Sequence, residues 1–421
     1  MENYLTKKNI VIAVVVLVLV IGALVYFGRK PSAEGGGGNL FSGLFPGGGE
    51  EPASPSVTPT PEATPTPEIA QAGPLPISAE DAKKLPIGAL IKLTDGPVSS
   101  IFPGTPGIVK YHKNSVENLG HLFERKIDAT NQENRLSNFT LPQILKVVWS
   151  GGAADGKRAV VFYNIGDELR KLLVDYTDPK TPKTNFLPNS VSDIVFSPDG
   201  KSMAFINDLP ASPSQGGGDT RNIFTATADF KNQKKVMDNE IPDLELSWPA
   251  ASILAVKTKS SYAAPGFLYT VSVSSGAFTK IAEGPGLDAV WNSDGSGMLY
   301  STSDSGGRIQ SLKFYDLKSG KTQDTGLRTI AEKCAFLKTQ KNLAVCAASK
   351  NGNLSLKYPD DWWKGKIAFQ DDFFSVDMAV GEAKGFSQTS LDVVMPKPAP
   401  DDSFLLFQDK TTGTLWSVKL K

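Results

Sequence analysis

The stretch FSPDGKSMAFI, Phe196 to Ile206, reads as an aromatic strand end, a four-residue turn and a second apolar strand. Asp-Gly at the turn predicts a tight hairpin, because glycine accepts the positive φ that other residues resist. LDAVWNSDGSGMLYS, Leu287 to Ser301, repeats the order of SDIVFSPDGKSMAFI: an acid, two residues, an aromatic, a turn ending Asp-Gly, then an apolar strand. Four looser copies, KVVWSGGAADGKRAVVFY (146–163), ELSWPAASILAVK (245–257), EKCAFLKTQKNLAVCA (332–347) and LDVVMPKPAPDDSFLLFQD (391–409), change the turn and keep the strands. The recurring large side chain is Trp149, Phe196, Trp248, Trp291, Phe336 and Met395, a set suited to filling the gap between adjacent sheets. These anchors lie 43 to 59 residues apart, close to the period of a four-stranded propeller blade.

Further strands follow each hairpin, as in RNIFTATADFKNQKKVM and RIQSLKFYDLKSGKTQDTG, with SSG, KSG and TTG as turn tips. Sheets this small cannot cover both faces alone, so neighbouring sheets must stack. GALIKLTD reads as an outer strand at the start of the folded sequence, whereas TLWSVKLK supplies only a third strand at its end. The first strand is therefore expected to complete the last blade and close a ring, removing two sheet edges. Counting FPGTPGIVKYHK…GHLFERKID as a degenerate first unit gives an all-β propeller of seven four-stranded blades, or six if that unit is irregular.

The FSPDGKSMAF and WNSDGSGMLYS hairpins resemble the WD40-like repeats of TolB-type propellers, over roughly residues 88–421. The resemblance implies a ring whose faces bind other proteins or ligands. It implies no fixed catalytic residues.

Upstream of the repeats the sequence changes character. IVIAVVVLVLVIGALVYFG, residues 10–28, is uncharged and long enough as a helix to cross a hydrocarbon core. It lacks a cleavage signal and is read as a signal anchor, with 1–9 a cytoplasmic tail and the remainder extracytoplasmic. Residues 29–77 are rich in Gly, Pro, Ser and Thr and read as a disordered linker. SAEDAKKL, with Ser78 as a helix N-cap, begins the folded domain, 78–421.

The whole chain has 44 basic and 44 acidic residues, which gives no positive field for nucleic acid. No G-x-S-x-G, P-loop or dinucleotide motif is present, and no cofactor or metal site is indicated. His112 and His121 flank one hairpin and read as polar strand positions. Cys334 and Cys346 flank another and can face each other, which predicts a disulfide in an oxidising exterior. YPDDWWKGK (358–366) interrupts a repeat; Asp360, Asp361, Trp362 and Trp363 are candidate binding residues, with a loop folded back over a blade end as the alternative. The acids Asp193, Glu245, Asp288 and Asp392, each three residues before an anchor, suggest capping of neighbouring strand ends. The expected function is a non-catalytic module that binds a protein or glycan of the cell envelope; the alternative is a hydrolase or lyase with an acidic funnel.

Overall fold

The computed structural model describes residues 84–127, 132–151, 156–209, 220–349 and 356–421. The apolar run 10–28, the linker and the Ser78 cap lie outside the described residues. Among those described, no helix is long and apolar enough to cross a membrane.

Seven antiparallel four-stranded sheets follow one another along the chain, each wound from an inner first strand to an outer fourth. Blades 1 to 6 span 102–135, 144–186, 191–237, 244–285, 288–328 and 334–388. Blade 7 takes Val393–Pro398, Phe404–Asp409 and Thr414–Lys419 from the end of the chain, and its outer strand is Leu90–Pro97. Leu90 pairs with Val418, Ile91 with Ser417 and Lys92 with Trp416. The degenerate first unit is a full blade, so the six-blade alternative is excluded.

Second strands are buried on both faces by their neighbours, which explains why they read as continuous apolar runs. Met203, Ala204, Phe205 and Ile206 are all 2 % exposed or less. Phe196 packs with Val160 and Phe162 of blade 2 as well as Phe205 of its own blade. Trp248 lies with Ile206 and Ile223 of blade 3, and Phe336 with Leu299 and Leu312 of blade 5. Trp291 packs on the cluster of Ala255 and Leu268 of blade 4, while the Trp149 ring meets that of Phe102 of blade 1 at a tilt, centroids 5.2 Å apart. Met395 rests against clusters on two sides of blade 7.

The quoted motif is a set of local bonds. The Ser197 hydroxyl donates to Asp199 (2.6 Å) and accepts from the Ser202 amide (3.0 Å), Asp199 accepts the Lys201 amide (3.1 Å), and Gly200 has φ 69°. In blade 5, Asn292 and Asp294 make the equivalent bonds to Gly297 and Ser296. There Gly295 is required twice over: its φ is 71°, and a Cβ would stand 2.8 Å from Pro249 and Ala250 of the preceding blade.

Cys334 and Cys346 are direct cross-strand partners and form a disulfide inside the blade 5–blade 6 cluster. Replacing both with alanine is expected to lower stability by about 2–3 kcal/mol, the chain-entropy value for a loop of this length. Chemical denaturation of the two forms measures it, and thiol labelling of the native protein should find no reactive cysteine.

Winding direction sorts the connections onto two faces. First-to-second and third-to-outer turns share one face, which carries SPDG and its echoes. Second-to-third loops and the links to the next blade share the other. The 358–366 interruption joins the second to the third strand of blade 6, so this departure from the repeat lies on the connection face.

Candidate functional site

The interruption in blade 6 forms a strap across four blades. Its core is a short helix, Asp360–Trp363. Asp360 accepts the Ser261 hydroxyl (2.9 Å) and the Tyr262 amide (2.8 Å) of blade 4. The Tyr358 amide donates to the Gly307 carbonyl (2.8 Å) of blade 5, and the Tyr358 carbonyl accepts from Ser303 (2.6 Å). Trp362 is fully buried; its indole N–H donates to Asp392 (2.9 Å) and its carbonyl accepts from Lys410 (2.7 Å), both of blade 7. Asp361 closes the strap internally through the Lys357 amide (2.9 Å) and the Lys366 ammonium (2.7 Å). All four candidate binding residues thus have hydrogen-bond partners within the protein. Trp363, 37 % exposed, presents ring surface while donating to Glu332 (3.1 Å).

Beneath the strap lies a buried ion cluster. Lys333, 1 % exposed in a 3-10 turn, bonds Asp371 Oδ2 at 2.5 Å and Asp392 Oδ1 at 2.7 Å. Its ammonium also sits 4.8 Å from the Trp362 ring and 4.5 Å from that of Phe369. Asp371 Oδ2 accepts the Val393 amide (2.8 Å) as well, whereas Oδ1 is buried without a hydrogen-bond partner among the described residues. Burial pushes the Asp371 carboxyl up, against the pull of Lys333 and the Val393 amide.

This cluster forms the floor of a cavity of about 430 Å³ between blades 5 and 6 on the connection face. Ile309, Ile330, Tyr358 and Phe369 supply apolar wall, and Asp304, Arg308 and Arg328 also line it. Arg308 and Arg328 are exposed, and hydrogen bonds from the Arg308 and Gly306 backbone amides hold Asp304 below the usual carboxylate range, with the Arg308 charge a smaller contribution. Neither guanidinium forms a hydrogen bond or ion pair with a described side chain. A volume of this size suits a small organic ligand.

The acids preceding the anchors clasp neighbouring blades. Asp193 accepts the Leu246 amide (2.7 Å) of blade 4, and Asp288 accepts the Glu332 amide (2.7 Å) ahead of blade 6. Glu245 and Asp288 share the Lys257 ammonium at 2.8 and 3.3 Å. Asp392 is taken up by Lys333 and Trp362. Burial, with the Asp288 charge second, pushes the half-buried Glu332 carboxyl up to about 7, against the opposing Trp363 N–H and Lys257. A raised carboxyl favours the folded state fully below its unfolded value near 4.5, and that contribution is lost as pH rises through about 7. Glu332→Gln keeps an acceptor for Trp363 and should stabilise the protein by about 1–2 kcal/mol above neutrality, with little effect in acid. Denaturant midpoints across pH test this; a constant offset would contradict it.

The two histidines face different neighbours. Fully buried His112 lies between the Ser100 hydroxyl (2.8 Å) and the Tyr176 hydroxyl (2.9 Å), and burial lowers it to about 3, so the ring is neutral. His121 meets Thr140 (3.1 Å) and Arg135 (3.3 Å).

Arg308, Arg328, Lys333 and Asp371 escaped the sequence reading as a group. They come from separate connections of two blades, and no local spacing links them. The signal available was the broken repeat, which marked the right face.

The fold and this face define a seven-bladed propeller with a strapped cavity. No protein-family profile matches the sequence. No curated protein matches it. Among solved structures, the chain is similar to an oligogalacturonate lyase in complex with manganese, at 12 % identity and a TM-score of 0.51, over 80 % of this chain and 99 % of that one. It is also similar to an acylaminoacyl peptidase, at 12 % identity and a TM-score of 0.50, over 77 % of this chain and 52 % of the peptidase. TolB from Acinetobacter baumannii aligns at 14 % identity and a TM-score of 0.40, over 71 % of this chain and 59 % of TolB. At these identities the likeness is one of fold.

Proposed function

We propose that the protein is a membrane-anchored, extracytoplasmic propeller that binds a protein or glycan of the cell envelope through its connection face, without catalysis. The observation that carries this reading is the strapped cavity. Where the repeat is broken, the inserted chain is spent on holding four blades together around an accessible, mixed apolar and charged pocket. The apolar run 10–28 supports the anchor, and the disulfide supports an oxidising location.

Crosslinking in cells with the native chain and with Gln310→Trp, which plugs the cavity mouth from an exposed lining position, tests the reading. An envelope component recovered by the native chain and lost in the variant is expected. Equal recovery by both, or none by either, overturns it. Protease accessibility of 84–421 in intact spheroplasts tests the orientation.

A second reading, a hydrolase or lyase, is favoured by one observation: the raised carboxyl of Glu332 beside Asp288, a pairing suited to proton transfer near neutral pH. It requires turnover of a polyuronide or peptide substrate that Glu332→Gln abolishes while the fold is kept.

A further inference from the structure

The charge inside the cavity is arranged along its depth. At the floor, one ammonium, Lys333, faces two carboxylates, Asp371 and Asp392, which leaves an excess of one negative charge. Asp371 is 0 % exposed, lines the cavity, and has an oxygen with no hydrogen-bond partner among the described residues. A buried acceptor left unsatisfied is costly, and a donor arriving there recovers that loss. At the mouth the balance reverses: Arg308 and Arg328 face the single carboxylate of Asp304, whose Oδ1 already accepts the Gly306 (2.8 Å) and Arg308 (2.9 Å) amides. Between floor and mouth the wall is apolar, with Ile309, Ile330, Tyr358 and Phe369.

A site that is negative at its inner end, positive at its outer end and apolar between them complements a molecule of the opposite polarity. We propose that the cavity binds a zwitterionic small molecule, its ammonium donating to Asp371 and its carboxylate held by Arg308 and Arg328. The inference rests on the reading of the connection face as a ligand site and adds the class of ligand. A carboxylate suits two guanidiniums, which offer paired donors in a plane. The ammonium satisfies the open oxygen and cancels the excess charge at the floor. A simple anion would leave the Asp371 oxygen unmet, and a simple cation would have to pass two arginines and gain nothing from them.

The unknown separation of the charges is scanned with an ω-amino acid series: glycine, β-alanine, 4-aminobutanoate and 6-aminohexanoate. Each is titrated calorimetrically into the full chain beside the alkylamine and the carboxylate of equal length. One length is expected to bind with a Kd below about 1 mM and at least about tenfold more tightly than either single-charge analogue. Arg308→Gln combined with Arg328→Gln changes two exposed side chains without hydrogen-bonded partners among the described residues, so the fold should persist while affinity falls at least about tenfold. Asp371→Asn should bring the zwitterion down to the level of the plain carboxylate. Because Asp371 also holds Lys333, the arginine pair and the length series decide the matter if that variant unfolds.

No binding by any member of the series, equal binding of zwitterion and single-charge analogue, or affinity unchanged in the arginine variant overturns the proposal. If single-charge analogues bind and Gln310→Trp blocks them, the cavity remains a ligand site and only the class is wrong. If binding survives that plug, the site itself is wrong.

Discussion

Lys333→Met is expected to lower the stability of the folded domain by about 3–5 kcal/mol, the usual cost of removing one partner from a buried ion cluster. Methionine fills much of the lysine volume, so the loss is electrostatic: Asp371 and Asp392, 0 % and 1 % exposed, would keep no cation between them. The pH dependence carries the sign. Asp371 is already raised by burial with Lys333 in place, and removing the ammonium raises it further. A group raised in the folded state favours folding most at acid pH and loses that contribution as pH climbs through its folded value. The deficit of Lys333→Met should therefore be smaller at acid than at alkaline pH. Adding Asp371→Asn and Asp392→Asn should recover much of the loss at neutral pH. Denaturant midpoints at constant m-value measure all three; a deficit below about 1 kcal/mol, or one independent of pH, would contradict the cluster.

A chain beginning at Val98 should fail to fold. It lacks Leu90–Pro97, so blade 7 has three strands and the ring is open at Thr414–Lys419. Ile91 and Leu93, 2 % and 1 % exposed, contribute about 3–6 kcal/mol of apolar burial between them, before the lost ladder is counted. That approaches the whole stability of an ordinary domain. A chain beginning at Lys84 keeps the strand and the Leu85 carbonyl that accepts from Lys419 (2.7 Å), and should melt as the full chain does. Calorimetry compares them, and a synthetic peptide covering 84–97 should restore a transition to the shorter chain. Equal melting of the two chains would show that closure is not what holds the ring.

The propeller was legible because its determinants are local and repeated. A hairpin turn such as Ser197–Gly200 is bonded within itself, and a second strand such as SMAFI is apolar at consecutive positions because both faces meet a neighbour. The degenerate first unit was harder, and the choice between six and seven blades was decided only by the four strands that 102–135 form. The cysteine pairing was legible because its determinant is local, a short hairpin placing Cys334 opposite Cys346. The strap was harder. Two tryptophans and two aspartates in sequence describe a recognition loop and an anchored loop equally well, and what separates the two is whether partners exist at Ser261, Tyr262 and Asp392, up to 99 residues away.

The sequence by itself determined the repeat, the order of strands within it, the closure of the ring and the face on which the repeat fails, since each follows from the chemistry of a few adjacent residues. Tertiary structure decided what that face contains. Arg308, Arg328, Lys333 and Asp371 acquire a common meaning only when blades 5 and 6 stand side by side. An ammonium becomes a buried clamp, and a carboxylate oxygen an open acceptor, through the exclusion of water, which no spacing in the chain records.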